Sequence, residues 1–411
     1  MAELGKLKKL FHQWGGTTAT FFSCIHLSHD LSIGLLVAIL PFIREDLGLN
    51  YLQSGLLVSV FTIALGLSQF PGGWLGGRLG QRMVMSAGLF GVGLAGLTLG
   101  FSPNYYFVLS GLAIMGVFAG AYHPLSNTML PGYFERSRRG KVVALHGIGG
   151  NIGFTISPFL GGLLAGTLGW RFAYIVLSFP ALVAAVLVLK QLRQQEPVNH
   201  DGLIDRISTT GDTLVKQASR RPGIIQALRA VAAVSILAII VHFIAGTATA
   251  YIPIYLVDMH NVTPFYAAML VGILRGGAII GSLFGGWLSD KWGRREALFL
   301  VLITIGPVLY LLAILPFGIL LIVIFFVFGL LRQMRQITTL PLVMDSTPAQ
   351  FRATVFGIYF GLSMEGTSLL QPVAGHFMDI YGIGDVFNII ALIGVALSLV
   401  ALISVIRSRI R

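Results

Sequence analysis

Residues 386–406, VFNIIALIGVALSLVALISVI, contain no charged side chain and three polar ones, Asn388, Ser398 and Ser404. No other kind of feature limits the fold of this chain so tightly. A helix needs about 20 mostly apolar residues to cross the hydrocarbon of a bilayer. A backbone facing lipid must satisfy its polar groups within a helix or a closed barrel. Barrel strands need only about 10 residues of alternating polarity, so continuous runs of this length specify helices. The expected spans in the first half lie near 17–40, 51–75, 82–100, 104–130, 140–166 and 170–190. In the second half they lie near 230–257, 263–289, 295–313, 315–342, 352–378 and 384–406. Composition agrees: the 411 residues are 55% apolar and 11% charged, whereas about a quarter of a soluble domain is charged. The expected fold class is an all-α membrane protein with twelve transmembrane helices in two pseudo-symmetric six-helix bundles. The 51 glycines suit lipid, where small residues let helices approach closely.

Lys and Arg set the direction of insertion. With the N-terminus in the cytoplasm, the loops on the opposite side carry only Arg44 and Arg171, and all other basic loop residues fall on the cytoplasmic side. The positive-inside rule therefore places both termini in the cytoplasm and explains the net charge of +12. These basic residues are scattered over short connections, so no nucleic-acid partner is expected. The start, MAELGKLKKLFHQWGG, leads into a segment longer than a signal h-region and is read as the approach to the first span. Cys24 is the single cysteine, which excludes an intrachain disulfide and a cysteine-rich metal site. The apolar pattern breaks at 191–229. The expected organisation is an N-terminal bundle at 1–190, a cytoplasmic linker at 191–229 and a C-terminal bundle at 230–411.

Two internal echoes connect the bundles. GGWLGGRLGQR (72–82) returns as GGWLSDKWGRR (285–295), and HGIGGNIGFTISPFLGG (146–162) aligns with FGLSMEGTSLLQPVAGH (360–376). Nearly equal offsets argue for duplication of a six-helix unit, as expected where two bundles rock about a central substrate cavity.

With these features the chain resembles the major facilitator superfamily along essentially its whole length. That family's loop motif is G-x-x-x-D-(R/K)-x-G-R-(R/K). The second copy follows it through Gly286, Asp290, Lys291, Gly293, Arg294 and Arg295, while the first keeps Gly73, Arg78, Gly80 and Arg82 but has Gly77 at the acidic position. The resemblance implies a conformational gate at Asp290, Lys291, Arg294 and Arg295, and a basic anchor at Arg78 and Arg82. GFTISPFLGG (153–162) is similar to the fifth-helix pattern of drug–proton antiporters, through Gly153, Pro158, Gly161 and Gly162, with Ser157 replacing the glycine before proline. HLSHD (26–30), AYHPLSNTMLP (121–131) and HGIGGNIG (146–153) resemble segments of fosmidomycin-resistance exporters. The fourth span lacks the arginine usual in drug antiporters.

Charges inside the expected spans are costly, at least ~3 kcal/mol near the bilayer centre, and face a wet cavity or a partner. Asp30, Arg275, Arg332, Arg335 and Glu365 qualify. His26 and Asp30 share a helix face at i, i+4, a pairing that serves proton coupling or a structural hydrogen bond. His29, next to Asp30, is expected to point elsewhere unless the helix is broken there. Glu365 is the third proton-coupling candidate, with a permanent salt bridge as the competing role. Arg275, Arg332 and Arg335 can grip carboxylate or phosphate oxygens or neutralise the buried acids. Tyr251, Tyr255, Tyr359 and Gln371 are candidates to line the substrate route. His123, His146 and His242 are expected in packing or supporting roles, since no tight spacing predicts a metal site.

These features lead to an expected monomeric secondary transporter of a bacterial inner membrane, working by alternating access without a cofactor. It would export a small anionic or amphiphilic compound by proton antiport. Proton-coupled uptake of an organic or inorganic anion is the alternative. An enzyme is disfavoured, because no nucleophile, metal cluster or nucleotide loop accompanies the buried charges.

Overall fold

The computed structural model describes residues 14–135, 137–192, 222–347 and 368–410. Eleven helices among the described residues are long and apolar enough to cross a membrane. The helices are α1 Gly16–Ile33, α2 Leu36–Leu47, α3 Tyr51–Leu79, α4 Gln81–Leu99, α5 Tyr105–Gly120, α6 Tyr122–Gly132, α7 Arg139–Leu168 and α8 Trp170–Gln191. They continue as α9 Pro222–His260, α10 Pro264–Trp292, α11 Arg294–Ile314, α12 Ile319–Ser346, α13 at 368–381 and α14 Ile383–Ile410. The protein is an all-α multi-pass membrane protein, and the twelve-helix plan is consistent with these elements. The expected span at 352–378 keeps only its later part, as α13, within the described residues. Most of the expected linker also lies outside them.

Two expected single helices are broken. The first crossing bends between α1 and α2, where Gly34 N–H still donates to the Asp30 carbonyl (2.9 Å) and Leu35 lies outside regular helix. The fourth breaks at Ala121, between α5 and α6. Pro124 contributes, since it has no N–H for the first turn of α6. Both breaks lie within a few residues of the buried polar side chains described below.

The chain forms two compact units. The first comprises Met1–Pro197 with Pro253–Arg275, and the second Val198–Ile252 with Gly276–Arg411. In the first unit Phe22 and Ile25 of α1 pack with Met85 and Leu89 of α4 and with Tyr122, Leu125 and Met129 of α6. In the second, Ser398 of α14 donates to the Leu302 carbonyl of α11 (2.7 Å) and accepts from Gly306 N–H (3.1 Å). Large apolar side chains such as Leu67, Phe70, Leu283 and Ile319 stay exposed, as lipid-facing surfaces require.

The loop repeat has a common backbone cause. Gly80, between α3 and α4, has φ 91°, and its counterpart Gly293, between α10 and α11, has φ 102°. Side chains other than glycine rarely adopt that conformation, which is why both copies keep glycine at this turn although the acidic position differs.

Candidate functional site

The buried polar group of the first unit is built around Asp30, which is 2% exposed. Its Oδ2 lies 3.2 Å from His26 Nε2, and its Oδ1 lies 2.7 Å from His29 Nδ1. The first contact follows from the i, i+4 spacing. The second corrects the expectation that His29 points away: neighbouring side chains leave a helix about 100° apart, but a carboxylate has two oxygens and the His29 ring folds back to reach one.

The outer nitrogens of these rings meet carbonyls. His26 Nδ1 is 2.9 Å from the His146 carbonyl, and His29 Nε2 is 3.3 Å from the Ala119 carbonyl. A carbonyl only accepts, so His26 carries its proton on Nδ1 and turns Nε2 toward Asp30. In a neutral ring that nitrogen holds a lone pair, which repels the carboxylate 3.2 Å away. A cation between the two atoms removes the conflict, whether a proton or a metal ion. His29 has an oxygen at each end of its ring, Asp30 Oδ1 at 2.7 Å and the Ala119 carbonyl at 3.3 Å. Asp30 therefore sits where proton occupancy decides whether neighbouring groups attract or repel.

Other helices complete the group. His146 of α7 stacks on His26 at 4.2 Å, and Tyr122 stacks on His29 at 4.3 Å. His123 meets both His26 and His29 edge-on at 5.3 Å. The donor atoms of His26, Asp30 and His123 lie within 4.8 Å of one another. Spacing predicts the His26–Asp30 contact within α1 but not the approach of His123, which comes from α6. The recurrence of histidine in HLSHD, AYHP and HGIGG was the available signal.

The glycines of α7 make the approach feasible. A Cβ at Gly150 would lie 2.5 Å from His26 Nε2 and 2.6 Å from Asp30 Oδ2, and one at Gly153 would lie 2.5 Å from the Leu27 carbonyl. Farther along, Ser157 Oγ donates to the Leu31 carbonyl at 2.7 Å. Pro158 follows within α7; Gly161 faces Leu35 and Gly162 faces Ala268.

A second polar group of this unit escaped the sequence reading. Arg44 pairs with Asp258 at 3.0 Å, and Tyr51 donates to the same carboxylate at 2.7 Å. It attaches the end of α9 to α2 and α3. The signal available was an arginine and an aspartate near helix ends. Arg275 of α10 also belongs to this unit, half-buried with its guanidinium 5.1 Å from the Phe154 ring centre. Tyr255 is buried, its ring 5.4 Å from that of His260.

The second unit buries a cation. Arg335 is 2% exposed; its Nη2 donates to His242 Nδ1 at 2.7 Å and its Nη1 to the Ala238 carbonyl at 3.4 Å. Arg332, three residues earlier on α12, is half-buried. Thus two arginines three residues apart on α12 differ in burial. Tyr251 donates to the Gln371 carbonyl at 2.7 Å, and both residues are buried. Tyr359 and Glu365 lie outside the described residues.

In the loop repeat, Asp290 is exposed, Lys291 lies over Trp287 at 5.0 Å and Arg295 over Phe299 at 5.6 Å. The ion pair of this loop is made by Arg294 with Asp345 of α12, reinforced by a bond to the Pro341 carbonyl at 3.1 Å. In the first copy Arg78 lies over Trp74 at 4.2 Å and Arg82 donates to the Leu189 carbonyl.

Comparison with known proteins gives this geometry a context. The Major Facilitator Superfamily matches residues 22–366. The fosmidomycin resistance protein of Escherichia coli (strain K12) is 23% identical over 86% of this chain and 85% of its own length. A probable hexose phosphate transport protein of Chlamydia muridarum is 23% identical over 62% of this chain, which spans only 60% of that relative's length. Among solved structures, a bacterial homolog of the human lysosomal transporter Spinster, inward-facing and unoccupied, superposes with a TM-score of 0.76 at 14% identity over 94% of each chain. The nucleoside transporter NupG gives a TM-score of 0.79 at 13% identity over 94% of this chain and 100% of its own.

Proposed function

We propose that this chain, which belongs to the Major Facilitator Superfamily, couples proton entry to the export of a small anionic or amphiphilic compound. The carrying observation is the Asp30 carboxylate buried between the His26 and His29 imidazoles. Such a group changes its internal balance when one proton arrives or leaves, which is what a coupling site must do. The chemistry is binding and release; no covalent step is required. Each charge moved down a potential of 100 mV supplies roughly 2.3 kcal/mol.

Alternating access then needs contacts that exist in one state and break in the other. The Arg44–Tyr51–Asp258 group and the Arg294–Asp345 pair are the proposed contacts of this kind. Arg275 and Arg332 are proposed to recognise the anion, and Glu365 to share in proton handling. Tyr251, Tyr255, Tyr359 and Gln371 are proposed along the route. The location is proposed to be a bacterial inner membrane with both termini cytoplasmic, in the two-bundle order 1–190, 191–229 and 230–411.

A second reading, proton-coupled uptake of an anion, has support from the hexose phosphate relative and from a phosphoglycerate transporter protein of Salmonella typhimurium, 26% identical over 64% of this chain. Inside-out vesicles separate the two directions. Export by antiport predicts that adding substrate alkalinises an acidified lumen. Acidification without a substrate-driven rise, over a panel of organic anions and drugs, would count against it.

A further inference from the structure

We infer that His26 Nε2, Asp30 Oδ2 and a ring nitrogen of His123 form a binding site for a divalent transition-metal ion of the zinc or cobalt type. The first argument is spacing. Donors around a tetrahedral ion with bonds of about 2.0 Å sit ~3.3 Å apart. His26 Nε2 and Asp30 Oδ2 are already 3.2 Å apart. His123 completes a set whose atoms all lie within 4.8 Å, so its ring needs to approach by at most ~1.5 Å to reach ligand spacing.

The second argument is the orientation of the donors. Ligating histidines typically donate their remote N–H to a carbonyl or carboxylate, which fixes the tautomer and aims the other nitrogen at the metal. His26 does this through Nδ1 on the His146 carbonyl at 2.9 Å. Its Nε2 is buried and has no hydrogen-bond partner. Asp30 is steadied in the same manner, its Oδ1 held by His29 at 2.7 Å. His123 stands at the start of α6, just past the break at Ala121, held by edge contacts with His26 and His29 at 5.3 Å. Mixed imidazole and carboxylate donors suit zinc, cobalt and nickel rather than magnesium or calcium. Three protein ligands leave a fourth position for water or another small donor.

The metal would occupy the space between His26 and Asp30 that the coupling proton needs. Inhibition of flux by zinc is therefore the expected consequence, and that consequence alone rests on the proton reading. Binding itself does not.

The experiment uses full-length, tag-free, chelator-treated protein in detergent. Co2+ is titrated by visible absorption and Zn2+ by equilibrium dialysis. The expected result is one Co2+ per chain with the intense bands of low coordination, displaced by Zn2+. His123→Ala and His26→Gln should each weaken Zn2+ at least ~10-fold, while His260→Ala, outside the cluster, leaves it unchanged. Equal Zn2+ affinity in wild type and both cluster variants overturns the site. X-ray absorption of the zinc-loaded wild type guards against misfolded variants: two imidazoles in the metal shell support the assignment, and none or one overturns it. Flux in metal-free proteoliposomes is measured in parallel. Metal binding with flux indifferent to a proton gradient refutes the coupling role alone. Proton-driven flux with no Co2+ uptake refutes the metal site alone.

Discussion

In the first unit a carboxylate, Asp30, is buried between two imidazoles; in the second a guanidinium, Arg335, is buried against one. Histidine serves opposite purposes in the two places. Beside Asp30 it faces an anion, so a proton or another cation is welcome. Beside Arg335 it accepts a hydrogen bond through Nδ1, so that nitrogen must be unprotonated. An arginine does not release its own proton in proteins, so the second arrangement holds a fixed charge. Under the proposed function, the first unit exchanges cations and the second keeps a constant positive charge.

The largest expected effect tests the exchangeable side. Asp30→Asn keeps the size of the side chain but removes its charge. Proton-driven flux in proteoliposomes should fall ~100-fold, the lower end of what loss of a proton-transferring group costs. Equal transport by the variant at every pH would end the comparison. The next test addresses the fixed field: Arg332→Gln should weaken binding of an anionic substrate about 10-fold, or ~1.4 kcal/mol. Unchanged affinity for an identified anion would remove Arg332 from recognition.

A smaller effect concerns the support of Arg335. His242→Ala takes away one acceptor from a buried guanidinium, a loss of ~1–3 kcal/mol. A fall in melting temperature measures it, and His242→Gln should recover part of the loss by offering an amide oxygen. An unchanged melting temperature would show that the pair is not holding the charge. Smallest is Asp345→Ala, which frees Arg294. The pair is largely exposed, so stability should change by less than ~1 kcal/mol. A shift in substrate-exchange rate without a change in melting temperature would assign it to gating.

The fold was legible because its main signal is one-dimensional. An apolar run long enough to cross a bilayer announces a helix regardless of its neighbours, and Gly80 and Gly293 mark equivalent turns through a backbone requirement alone. The His26–Asp30 contact was legible for the same reason, since both residues share one helix. His123 and His146 were not, because their approach depends on how α6 and α7 pack against α1, which no spacing encodes. The break at Gly34–Leu35 was missed because apolar residues continue on both sides of it, whereas at Ala121 the polar run YHPLSNT with Pro124 was the available signal. The Arg335–His242 contact was not legible, because the two residues sit on separate helices.

Ser157 shows how such a break becomes fixed. Where α1 ends, the Leu31 carbonyl turns to the Ser157 hydroxyl of α7 for its hydrogen bond. A backbone acceptor left alone within a membrane costs several kcal/mol. Glycine at 157 would therefore orphan that oxygen unless the first crossing straightened and reclaimed it. The bend of the first crossing and the Ser157 hydroxyl thus depend on each other.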